Sequence, residues 1–174
     1  MNSEISSIKN KLKKLIEDKD ILDVILFGSS IKGKASPNDF DIAVISEKEI
    51  NLEMENFHFS FLKPIDFFKK RSVILTALFK EGYSVKFNMS FSELYDFKNK
   101  VLFKYDLKNM PPSKKVKVVN ILRGNKNERG MVENNKGEWL ANQVFFIPVF
   151  HDYIFEKFFL NFSVKYKKYY ILMH

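Results

Sequence analysis

Cysteine is absent from the 174-residue chain, which excludes disulfides and thiolate metal sites. No apolar run approaches the ~18 residues that a membrane-spanning helix needs. The N-terminus, Met1-Asn2-Ser3-Glu4, lacks the basic-then-apolar order of a secretory leader. A cytoplasmic protein with no membrane partner is therefore expected. Internal repeats and low-complexity linkers are also missing, so the length suits one ordinary domain or two small ones. What the chain has in quantity is core material: 45% of its residues are hydrophobic and 19 are Phe.

Charge is unevenly spread. Residues 1–75 hold 12 Lys/Arg and 12 Asp/Glu, whereas residues 76–174 hold 17 and 9, so the whole excess of +8 lies in the C-terminal part. Such a balance fits a polyanionic partner, RNA or DNA. It equally fits a lysine-rich coding bias that solubilises the surface.

The most informative stretch runs from Ile25-Leu26-Phe27-Gly28-Ser29-Ser30 through Lys32-Gly33 to Asn38-Asp39-Phe40-Asp41-Ile42. It reads as a buried strand, a small-residue turn, a loop and a second strand. Period-two geometry puts Asp39 and Asp41 on one face of that strand, with Phe40 and Ile42 on the other. Two neighbouring carboxylates repel unless a cation sits between them, and Asp is unfavourable inside a strand. The Gly28-Ser29 turn offers backbone N–H groups and a hydroxyl to a phosphate. Phosphate cradle and divalent-metal clamp together are the apparatus of nucleotide chemistry.

Around this stretch, Ile5, Ile8, Leu12, Leu15 and Ile16 predict an amphipathic helix over 5–17, capped by Ser3. Strands are expected at 24–27, 40–45 and 57–62. In the last, Phe57, Phe59 and Phe61 face one way and His58 and Ser60 the other. A helix follows from Pro64, with Gly82 as a left-handed stop. Further on, the sequence predicts a strand at 101–107, a helix from Pro111-Pro112-Ser113 to Gly124, and strands at 130–133 and 138–148 joined by a turn at 134–137. A helix at 153–162 and a strand at 164–172 complete the order β-α-β-β-α-β, the split arrangement of ferredoxin-like domains. The fold class is therefore α+β, with domains at 1–90 and 91–174.

Gly28-Ser29, Lys32-Gly33 and Asp39-Phe40-Asp41, in their strand-loop-strand setting, resemble the nucleotidyltransferase superfamily that includes DNA polymerase β, and within it the small prokaryotic domains. The likeness covers roughly residues 5–80. It implies a mixed sheet flanked by helices and an Mg²⁺-dependent enzyme that moves a nucleoside monophosphate from an NTP to a hydroxyl on nucleic acid or protein. Gly28, Ser29 and Lys32 would bind the nucleotide, and Asp39 and Asp41 would hold two Mg²⁺ ions. The chain departs from the family pattern twice. Lys32 replaces an Arg and loses its planar fork. The third carboxylate, normally on the following strand, has no obvious counterpart: that strand carries His58 and Ser60, and the next carboxylate, Asp66, falls in a helical first turn. Asp66 is one candidate for the third catalytic group at the metals, against a helix-dipole role in that first turn, and His58 is another, at the strand position and able to accept the acceptor's proton, against a satisfied core or surface histidine. Glu53 and Glu55 in the preceding loop are further candidates.

Without a third carboxylate, the same fold could serve as a catalytically degenerate nucleotide or nucleic-acid binding module, or as a non-catalytic subunit that docks a partner. Lys165-Tyr166-Lys167-Lys168-Tyr169-Tyr170 interleaves bases and aromatics in the manner of RNA-binding sheets, without their aromatic-Gly pattern. Lys114-Lys115-Val116-Lys117 reads as the solvated face of a helix, and His151-Asp152 as a helix start.

Overall fold

The computed structural model describes residues 2–32, 39–69, 72–125 and 127–174, with side chains from Ile5 onward. Gly33, Lys34 and Asn38, and the side chain of Ser3, lie outside that description. The chain divides into two compact units, residues 1–99 with His174, and residues 100–173. Among the described residues no helix is long and apolar enough to cross a membrane.

In the first unit, α1 (Asn2–Lys11) and α2 (Lys13–Glu17) precede β1 (Ile21–Phe27), a 3-10 turn at Gly28–Ser30, β2 (Phe40–Ser46) and β3 (Phe57–Leu62). A second 3-10 turn at Pro64–Phe68 leads to α3 (Val73–Glu81), β4 (Tyr83–Ser84) and β5 (Met89–Ser90). The mixed sheet has the order β3-β2-β1-β4-β5. β1 runs antiparallel to β2 and β4, and β2 runs parallel to β3.

Both faces of its centre are covered, which is why Ile42 to Ile45 read as a continuous apolar run. Ile8 and Leu12 pack with Val24, Leu26, Ile42 and Val44 on one face. Leu75, Leu78 and Phe91 pack with Ile25, Ala43 and Ile45 on the other. On β3 the rings of Phe57, Phe59 and Phe61 form a ladder with centroids 6.0 and 6.1 Å apart, as period two requires.

The helix expected from Pro64 to Gly82 is two elements. Lys69 is extended (φ −81°, ψ 153°), and the Ser72 hydroxyl accepts the Leu75 N–H as the N-cap of α3. A serine that caps a new helix competes with continuation of the old one. Gly82 is not left-handed: it is extended (φ −67°, ψ 141°), and a Cβ there would meet the Leu78 carbonyl oxygen at 2.5 Å. The unit division at 99/100 lies beyond the 90/91 read from the sequence. Phe91 is buried against Phe67, Phe79 and Tyr95 and so belongs with the first unit.

The second unit contains β6 (Lys98–Asp106, which spans the division), α4 (Pro112–Arg123), α5 (Met131–Asn134), β7 (Glu138–Ala141), β8 (Val144–Pro148), α6 (Asp152–Asn161) and β9 (Lys165–Met173). Residues 130–133, expected as a strand, open the single helical turn α5. Asn134 and Asn135 donate back to the carbonyls of Arg129 and Met131 there, which ends it at once. The hairpin turn falls at Asn142-Gln143, with Gln143 at φ 63°, so 138–148 is two strands rather than one.

The sheet order is β7-β8-β6-β9. α4 and α6 share one of its faces, where Val118, Leu122, Phe155 and Phe159 pack on Val101, Phe103, Phe145 and Ile147.

Beneath α6, Asp152 is fully buried. It accepts from Lys168 Nζ at 2.8 and 3.1 Å and from the Tyr170 hydroxyl, while Lys168 also pairs with Glu156 at 2.7 Å. Burial alone would lower the Lys168 pKa, but its hydrogen bonds to Asp152 and Glu156 outweigh burial and raise it. Burial and the bond to Asp152 both raise Tyr170. Lys168→Met strands a buried carboxylate, and a loss of about 3–5 kcal/mol is expected in urea unfolding followed by Trp139, the single tryptophan. Both groups hold their protons more tightly folded than unfolded. Their contribution is therefore complete below about pH 10 and declines as pH rises further. The alkaline decline should be shallower in Lys168→Met, and an unchanged slope would contradict this account.

Candidate functional site

Register builds the site. Phe27, the last residue of β1, pairs with Asp41, and Asp41 pairs across the parallel β2–β3 ladder with His58. Directly paired residues share a sheet face, so Asp41 and His58 project from the same side, the one that Ala43 and Ile45 bury under α3. Asp39, two residues earlier, continues that side beyond the strand end. Its Oδ1 stands 4.0 Å from His58 Nε2, and both side chains are more than half exposed. Two carboxylates and an imidazole thus gather where β2 and β3 begin.

Gly28 closes the site from β1. Its φ is +78°, and a Cβ added there would collide with Asp41 Oδ2. The position needs glycine for two separate reasons, the left-handed backbone and the carboxylate pressed against it. The 3-10 turn holds Ser29 exposed, while Ser30 Oγ donates to the Phe27 carbonyl at 3.1 Å and ties the turn to its strand.

Lys32 takes a different direction. Its Nζ lies 2.9 Å from Oε2 of Glu81, a buried carboxylate in the last turn of α3. Oε2 has no aligned hydrogen bond among the described residues, so this is a charge contact rather than a directed bond. Glu81 had no assigned functional role in the sequence reading. The signal was its spacing: Leu75, Leu78 and Glu81 follow one another at three-residue intervals and are the buried residues of α3. A carboxylate on an apolar stripe requires a cation.

Asp66 is not brought to the Asp pair. The β2–β3 ladder runs from Asp41↔His58 to Ile45↔Leu62, a displacement of roughly 13 Å at a strand's rise per residue, and Asp66 lies past that far end. There its carboxylate accepts from Lys69 Nζ at 2.7 Å and from the Lys63 N–H at 2.8 Å. Those two bonds hold its pKa below the usual carboxylate range. Glu53 and Glu55 are exposed on the loop before β3.

Chemically, the grouping offers two carboxylates and one imidazole to a cation, with the backbone of the Gly28–Ser30 turn beside them. Hard divalent ions take carboxylates, and imidazole suits the later transition metals. Among the described residues no three His, Asp or Glu side chains already converge as a metal cage. The donor set fits a divalent ion in its chemistry.

Residues 10–88 match the family model described as Polymerase beta, Nucleotidyltransferase. No curated protein and no solved structure matches the chain.

Two stability tests follow from the geometry. Gly28→Ala should cost at least about 1–2 kcal/mol from the left-handed backbone, and less in an Asp41→Ala background, where the collision is relieved. An equal cost in both backgrounds, read by urea unfolding, would remove Asp41 from the explanation. Lys32→Met should cost about 3–5 kcal/mol by stranding Glu81, and Lys32→Met/Glu81→Met should recover most of it. A neutral single substitution, followed by far-UV circular dichroism, would show that the contact contributes nothing.

Proposed function

We propose, from the match of residues 10–88 to the Polymerase beta, Nucleotidyltransferase family model, that the protein transfers a nucleoside monophosphate from an NTP to a hydroxyl acceptor, with Mg²⁺ as cofactor. The observation that carries this reading is Asp41 set against Gly28 at the paired ends of β1 and β2, with Asp39 beside His58 at the same strand end. Asp39 and Asp41 would hold the metal ions, and His58 would occupy the position where the family supplies its third carboxylate. The backbone of Gly28 and the Ser29 hydroxyl would orient the triphosphate. Divalent ions bound there supply charge neutralisation of the phosphates and a lowered pKa for the acceptor hydroxyl.

Lys32 enters this reading as a positioning residue, because its ammonium is engaged by Glu81. It would hold the turn against α3 rather than reach the nucleotide. Asp66 has no part in the chemistry on this reading. The acceptor is a hydroxyl of nucleic acid or of a partner protein. For residues 100–173, the two β-α-β units each leave one strand's width between their strands: β8 sits between β6 and β7, and β6 between β8 and β9. That order supports a ferredoxin-like assignment.

A second reading is a degenerate fold that binds nucleotide without turnover. An imidazole at His58 in place of a carboxylate ligand favours it. One experiment separates the two. The protein is incubated with α-labelled NTPs and Mg²⁺, with and without RNA, DNA or cell lysate, and nucleotide and metal affinity are measured by calorimetry. Label transfer that disappears in Asp41→Asn supports the enzyme. Undetectable transfer with nucleotide binding retained supports the binding module. His58→Asp should tighten Mg²⁺ binding and, in the degenerate case, restore transfer. An unchanged Mg²⁺ affinity would exclude His58 from the metal site.

A further inference from the structure

The +8 net charge belongs wholly to the second unit: residues 100–173 carry 14 Lys/Arg against 6 Asp/Glu, whereas residues 1–99 with His174 carry 15 of each. This unit lies outside the segment that matches the nucleotidyltransferase family. Its sheet is covered on one face by α4 and α6. Alternation therefore sends every second residue of β6, β8 and β9 to the other face. There β6 presents Lys104, β8 presents Phe146, and β9 presents Lys165, Lys167 and Tyr169. Lys104, Lys165 and Lys167 are exposed, and Tyr169 is 49% exposed. Lys104, Lys165, Lys167 and Tyr169 line one cavity of about 680 Å³, together with one carboxylate, Asp106.

Lys168 sharpens the reading. It belongs to the same basic run but points inward, where Asp152 and Glu156 engage it. β9 thus divides one lysine-rich segment into an internal ion pair and an outward row. Lysines alone would attract any polyanion, and exposed rings alone would suit an apolar partner. Rings and ammonium groups interleaved on one open sheet face match a polymer that alternates phosphates with flat bases.

We propose that the uncovered face of this sheet binds single-stranded nucleic acid, with Lys104, Lys165 and Lys167 on phosphates and Tyr169 stacked on a base. A duplex fits less well, since its bases are already stacked on each other. The site stands apart from the Asp39/Asp41 chemistry and is tested without NTP or metal, so either reading can fail alone.

Fluorescence anisotropy with the full-length protein, a labelled oligo(U) 12-mer, an oligo(dT) 12-mer and a 12-bp duplex tests the proposal across a salt series. Both single strands should bind more tightly than the duplex, and their ratio identifies the preferred sugar. Lys104→Glu/Lys165→Glu/Lys167→Glu should weaken binding at least tenfold and reduce the log–log salt slope by about 2, at roughly 0.7 per single-strand phosphate contact. Tyr169→Ala should weaken binding about fivefold or more with the slope unchanged, and Tyr169→Phe should retain it. A charge-matched control, Lys114→Glu/Lys117→Glu/Lys157→Glu on α4 and α6, should cost no more than about threefold, with circular dichroism confirming the fold of each variant. Equal losses in the two triple variants, an inert Tyr169→Ala, or equal duplex binding would each overturn the proposal.

Discussion

The register of β1 on β2 and of β2 on β3 is the constraint from which the rest of the first unit follows. Leu26↔Ile42 and Phe27↔Asp41 set one boundary, and Asp41↔His58 the next. A slip by one residue would turn Ile42 and Val44 toward α3, move Ala43 and Ile45 to the α1 side, and exchange every apolar contact on both faces. The buried sets are of different size: Val24, Leu26, Ile42 and Val44 meet Ile8 and Leu12, while the smaller Ala43 leaves room for Leu75 and Leu78. Packing therefore selects one register. The position of Asp41 beside Gly28 and His58 comes with it, because these residues are fixed to the ends of strands that the core has already aligned.

Buried carboxylates are treated in two ways. Asp152 and Glu81 each receive a lysine from a neighbouring element. Asp23 has no lysine ion pair among the described residues: one oxygen accepts from the Val24 N–H and the Ser84 hydroxyl, the other has no hydrogen-bond partner among the described residues, and burial raises its pKa against the opposing pull of those bonds and of the Lys86 charge. The Asp39/Asp41 pair differs from all of these. It stands at the strand ends with exposure retained and no lysine or arginine ion pair among the described residues, a costly arrangement for a group with only structural duties.

Much of this was legible in the sequence, and for identifiable reasons. Period two in Asp39-Phe40-Asp41 and in Phe57 to Phe61 placed the carboxylates, His58 and the ring ladder on the faces where they are found. A strand's alternation is local and survives any tertiary context. Helix continuity is not local in that sense. Pro64 to Gly82 offered an apolar stripe long enough for one helix, and the competing cap at Ser72 could be weighed only once Phe67 and Phe91 were known to pack together. Residues 130–133 failed similarly, since Asn134 and Asn135 bond back to carbonyls whose position depends on the chain around them. Lys32 and Glu81 were each visible, but the ion pair between them spans 49 positions of sequence, and only folding brings β1 and α3 together. Asp66 was near the site in sequence and far from it along the strand.

The Lys32–Glu81 contact also has a consequence for motion. It fastens the segment that follows the Gly28–Ser30 turn to the last turn of a helix lying across the sheet. Helix ends and small turns ordinarily open independently, each with little free energy behind it. Here the turn cannot open without stranding the buried Glu81 carboxylate, so its opening is coupled to the end of α3. Whatever ligand orders the turn would, through that coupling, also quieten the end of α3 and the start of β4 behind it. Occupancy at the Gly28 edge would then be felt as rigidity at the end of α3, through the Lys32–Glu81 contact.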